Sequence, residues 1–146
     1  MRKYRIILLI TMIMLVACTC TVMGASQTGE GKFRNKDYSK SYNGDRTIFC
    51  AAGNSTKSYT TIYNNHTSSC HMDALVRGYN NYDGEILGQV YNSGTKAVGE
   101  MVHSGYLDRD DSNVWYYYEH KANCYLSPYQ MYEVIDTYKY TAKQND

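Results

Sequence analysis

The sequence predicts a mainly β protein: a small antiparallel β-sandwich with a short C-terminal helix, following an N-terminal signal segment. Three observations lead there. Tyrosine dominates the aromatic residues, with 17 Tyr against 2 Phe and 1 Trp, and a ring with a polar tip suits half-buried strand faces. Several stretches alternate apolar and polar residues with period two. Turn residues punctuate those stretches at short intervals.

The first element is the signal. Arg2, Lys3 and Arg5 precede an uncharged run from Ile6 to Ala17. A basic head, an apolar core and small residues beyond it describe a secretory signal, and the run is shorter than the roughly 20 residues a membrane-spanning helix needs. Two cleavage rules fit. Val22-Met23-Gly24 suits ordinary signal peptidase, which places the signal at residues 1–24. Leu15-Val16-Ala17-Cys18 resembles a bacterial lipobox, in which Cys18 is acylated and becomes the new N-terminus. Of the five cysteines, Cys18, Cys20, Cys50, Cys70 and Cys124, the first cut leaves an odd set and the second an even set for pairing in an oxidising compartment. Both remain open.

Residues 25–47 are polar and lack an apolar period, which predicts a flexible lead. A β-rich domain follows over 48–146. Lys57–Tyr63 is rich in β-formers. In Cys70–Val76, Cys70, Met72, Ala74 and Val76 share one face. Glu85–Tyr91, Lys96–His103 and Asn113–Tyr125 are further strands, with turns at 64–65, 82–84, 92–94, 104–105 and 108–113. At the end, Ser127-Pro128 and Gln130 form a helix start, and Met131, Val134, Ile135 and Tyr138 follow helical spacing. A helix over about 128–140 is expected, with a strand as the alternative.

The chemistry is sparse. Formal net charge is +1, which offers no electrostatic footprint for nucleic acid. Asp108, Asp110, Ser112 and Glu119 match the oxygen positions of a calcium loop, but Asn113 stands where glycine belongs, and the flanks are β-forming. An acidic turn is the simpler reading. His66, His71, His103 and His120 do not cluster with Cys70 in metal-ligand spacing and read as surface or strand-face residues. No nucleophile elbow, phosphate loop or thiol motif is present. These observations predict no cofactor, no metal and no catalytic residues.

Two expectations concern specific residues. Cys70 and Cys124 each sit among apolar neighbours in strongly patterned strands, which predicts a disulfide between them. Trp115, Tyr117 and Tyr125 alternate with Tyr116 and Tyr118, so the two sets face opposite ways. One set fills the core with Val114, and the other lies beside Glu119 and Lys121 as a binding strip. If the 128–140 helix crosses that strip, both sets are covered.

From Ser58 to Tyr118 the order SYTTIY, then His66 and His71 with Ala74 and Val76, then NSGTKAVGEMV, then WYYY resembles the lactococcin-type β-sandwich bacteriocins. That resemblance implies two small antiparallel sheets and a non-enzymatic attack on cell-wall assembly. The cysteines, the polar lead and the C-terminal segment depart from it. Taken together, the sequence points to an exported, non-enzymatic protein that binds a cell-envelope component or protein partner and meets a membrane only through its signal or a lipid anchor. The alternative is an anchored surface lipoprotein that binds through its Tyr-rich face.

Overall fold

The computed structural model describes residues 25–33, 37–54, 56–80, 83–109, 116–125 and 134–144. They form β1 (Ala25–Phe33), β2 (Tyr38–Asn43), β3 (Thr47–Gly53), β4 (Lys57–Asn64), β5 (Cys70–Asn80), β6 (Ile86–Lys96), β7 (Met101–His103), β8 (Leu107–Asp108), β9 (Tyr116–Tyr125) and β10 (Val134–Gln144). One sheet runs β1-β10-β9-β5-β6, and the other runs β2-β3-β4-β7 with β8 also on β4. Only β1 against β10 is parallel among the described pairings.

The alternation explains the layers. On β5, Cys70, Met72, Ala74 and Val76 are buried, and their neighbours on β9, Tyr118, His120, Ala122 and Cys124, are wholly so. They meet Phe49, Ala51, Ile62 and Val102 from the second sheet. The Phe49 ring stacks on Tyr138 of β10 at 5.1 Å. Tyr therefore serves as core filler here, and the buried Tyr138 Oη donates to the Thr47 carbonyl at 3.1 Å.

Several expectations are corrected. The segment 25–47 is no free lead, because it supplies β1 and β2. Its pattern is hidden because the inward positions of β1 carry no apolar side chain until Phe33. Gly29 and Gly31 lie there instead, and a Cβ at either would collide with the Tyr42 or Tyr140 ring tip. The hydrophobic filling of this edge is thus encoded in its neighbours. The expected helix is a strand over 134–144; residues 128–133 lie outside the described residues. There Asp136, Tyr138, Tyr140 and Ala142 point inward and Thr137, Lys139 and Lys143 do not, a period of two after a register shift at Val134/Asp136. Asn92-Ser93-Gly94 is no turn, since β6 runs through it paired to β5. The strand expected over 96–103 shrinks to β7, as residues 97–100 make the connection.

Candidate functional site

The inward set on β9 leaves Tyr117, Glu119, Lys121, Asn123 and Tyr125 on the outer face of the first sheet. Tyr117 is the ladder partner of Tyr79 on β5, and the two rings stack at 4.7 Å with planes 5° apart. Beside them Tyr79 Oη donates to Glu119 Oε1 at 3.3 Å. Lys121 and Lys139 form ion pairs with the same carboxylate at 2.9 and 3.2 Å. Burial alone would raise the Glu119 pKa, but the two lysines outweigh it and hold the carboxyl below its ordinary value. Burial, aided by the Tyr79 and Glu119 charges, pushes the Tyr117 phenol up.

The other end of the strip is anchored by Asp73. Its Oδ2 accepts from Tyr125 Oη at 2.8 Å, and its Oδ1 accepts from the backbone and side-chain nitrogens of Asn123 at 3.1 and 3.0 Å. Tyr125 is pushed up to about 12 by burial and by the Asp73 carboxylate. The His71 ring lies 5.9 Å from the Tyr125 ring. Across Leu75, Tyr91 on β6 is 57% exposed. The result is a strip of four Tyr rings with interleaved acid and base, in which hydrogen bonds hold Tyr79 and Tyr125 and stacking holds Tyr117.

Tyr117 and Tyr125 are thus placed on one half-buried outer face, and Tyr118 lies in the core. Trp115 and Cys18 lie outside the described residues. Cys70 and Cys124 are brought together as free thiols, not as a disulfide. They are diagonal neighbours, since the ladder partner of Cys124 is Met72, and diagonal positions are wider apart than direct pairs. A hydrogen bond from the Cys124 thiol lowers the Cys70 pKa, while the same bond and burial push Cys124 up. Glu119, the last oxygen of the calcium spacing, is committed to its two lysines. Among the described residues no three His, Cys, Asp or Glu side chains converge in a way that could hold a metal ion.

His120 corrects the surface reading of the histidines. It is fully buried between the sheets. Its Nδ1 lies 2.9 Å from Thr60 Oγ1, which itself donates to the Leu75 carbonyl at 2.8 Å. Nε2 lies 2.9 Å from Tyr38 Oη and 3.2 Å from Ser58 Oγ. The set fits a neutral imidazole that donates from Nδ1 to Thr60 and accepts at Nε2. The Ser58–His120 pair looks like half of a nucleophilic triad, but Thr60 occupies the third place and both residues are sealed from solvent. The arrangement cross-links the sheets. Sequence reasoning missed His120, Tyr79 and Asp73; the parity that put Cys124 and Tyr118 inward also put His120 there, and was the available signal.

No protein-family model and no curated protein sequence matches the chain. Among solved structures, a beta-glucuronidase from glycoside hydrolase family 2 is similar over 77% of this chain and 11% of its own, with 15% identity and a TM-score of 0.38. A Bacteroides uniformis beta-glucuronidase is similar over 73% and 13%, with 8% identity and a TM-score of 0.34. The N-terminal domain of PorA is similar over 84% and 89%, with 11% identity and a TM-score of 0.36. The chain spans only about a tenth of either glucuronidase's length.

Proposed function

We propose that this chain is an exported, non-enzymatic binding protein that acts at a bacterial envelope, with the outer face of its first sheet as the contact surface. A bacteriocin-like antagonist is its specific form. The observation that carries this reading is the stacked Tyr79–Tyr117 pair on an outer sheet face, fixed by Glu119 and continued by Tyr125 and Tyr91. Pre-ordered tyrosines lose little freedom on binding and offer both apolar area and hydroxyls, the combination favoured in contact surfaces. The basic head and apolar run of residues 1–24 support export.

The test is binding of labelled protein to isolated bacterial envelopes. Tyr117→Ala is expected to weaken it by tenfold or more, as loss of a central aromatic contact does, with little change in melting temperature. Unchanged binding, or a fall in binding that merely follows a large fall in melting temperature, overturns the reading.

The second reading, a surface lipoprotein, is favoured by Leu15-Val16-Ala17-Cys18. Acylation of Cys18 would leave six residues before β1, a reach of about 21 Å at most. The strip would then work close to the membrane. Mass analysis of the mature N-terminus decides between the two: a lipid-modified Cys18 supports the anchor, and an unmodified start near Ala25 supports the diffusible form.

A further inference from the structure

On the opposite sheet, β2, the β3–β4 turn and the residues after β7 enclose a cleft of about 380 Å³. We infer that it is a binding site for a neutral saccharide unit. This rests on the binding-protein reading and assigns a ligand class to a face separate from the Tyr79–Tyr117 strip.

The walls are built before any ligand arrives. Asn54 Oδ1 accepts from the backbone nitrogens of Thr56 and Lys57 at 2.8 and 3.0 Å, which closes the β3–β4 turn. Asn54 Nδ2 donates to Asp37 Oδ1 at 3.3 Å, steadying that exposed carboxylate on the rim. Tyr59 stacks on His103 at 5.0 Å, and Tyr106 packs edgewise on both at 5.3 and 5.1 Å. Gly105 makes the corner that aims Tyr106. Its φ of 95° is a left-handed conformation, and a Cβ there would press on Val90 at 2.9 Å. Its nitrogen donates to His103 Nδ1 at 2.8 Å. Tyr106 is left 56% exposed, with Lys57 Nζ 5.1 Å from its ring centre. Tyr38 also lines the cleft, its hydroxyl held by His120 and Ser58.

Charge selects the ligand. The lining carries one carboxylate, Asp37, and one ammonium, Lys57. A cationic ligand would suit the tyrosine faces but meets Lys57, which already lies over one of them. An anionic ligand meets Asp37. An apolar ligand would strip water from both charges with nothing in return. A polyol avoids each conflict: one hydroxyl donates to Asp37, another accepts from Lys57, and the C–H face of the sugar ring lies against a tyrosine. The volume is at the small end of the range for small-molecule sites, which suits one sugar residue of a longer chain.

The test uses the full chain in native gels containing a soluble neutral α-glucan, β-glucan, mannan, galactan or chito-oligosaccharide, with hyaluronan as the anionic arm and choline as a competing cation. At least one neutral glycan is expected to retard the protein. Tyr106→Ala and Asp37→Ala are each expected to weaken that binding about tenfold or more. Both residues are exposed, so the melting temperature should hold, and Tyr117→Ala should bind glycan normally. Retardation by none of the neutral glycans overturns the inference, as does capture by hyaluronan alone or displacement by choline. Sensitivity to Tyr117→Ala but not to Tyr106→Ala would move the glycan to the first sheet, ending this assignment while leaving the envelope-binding strip in place.

Discussion

Acidification should loosen this fold through His120. Burial of the ring, opposed by a backbone hydrogen bond with Tyr59 and the Glu119 charge, lowers its pKa from 6.5 to about 3. Above pH 6.5 the imidazole is neutral in both folded and unfolded chains and contributes no pH dependence. Between 6.5 and 3 only the unfolded chain takes up the proton, so stability falls as pH falls. The loss is about 2 kcal/mol by pH 5, with a ceiling of about 5 kcal/mol below pH 3. Such a loss is a large fraction of a small domain's stability. Urea unfolding followed by circular dichroism from pH 8 to 4, on the native chain and on His120→Gln, isolates the effect, because carboxylates shared by the two chains cancel. The variant starts less stable, and its deficit should shrink by about 2 kcal/mol between pH 7 and pH 5. A deficit constant across that range would refute the reasoning, as would a His120 ring resonance that titrates near pH 6.5 in the folded protein.

Gly31→Val should force the Tyr140 ring from its place and cost about 1–3 kcal/mol, read as a lower urea midpoint with faster hydrogen exchange over Ala25–Phe33; native-like exchange there would remove β1 from the cooperative fold. Asp136 accepts from Thr47 Oγ1 at 2.7 Å and from the Arg46 nitrogen at 3.2 Å, so Asp136→Ala should cost about 1–3 kcal/mol by removing the acceptor of both donors, and a thermal shift under a few degrees would contradict that role.

Legibility in the sequence followed where the apolar filling is encoded. β5 and β9 supply their own inward side chains, so parity alone placed Cys70, Met72, Tyr118 and Cys124 in the core and Tyr117 and Tyr125 outside it. β1 was invisible because Gly29 and Gly31 leave room for rings that belong to β2 and β10, and a local pattern cannot report a neighbour's side chain. The end of the chain was misjudged for a different reason. Ile135 sits where the register shifts, and the extra residue makes Val134, Ile135 and Tyr138 mimic helical spacing. The Tyr38–Ser58–His120–Thr60 set joins residues up to 82 positions apart, a distance over which sequence spacing carries no geometric information. The cleft was hidden likewise, since its lining comes from three separate loops and strand ends.

The parallel seam between β1 and β10 has a consequence for the order of assembly. Glu30 on the first strand meets Lys143 on the last, 113 residues later. During synthesis from the N-terminus, β1 emerges long before its ladder partner exists. It must wait as an exposed, glycine-bearing segment that cannot hold itself in a sheet. Closure of this long separation is therefore left to the end, and such closures are slow to form. The delay keeps the first strand out of its sheet until the last strand arrives, so the fold completes as one late event.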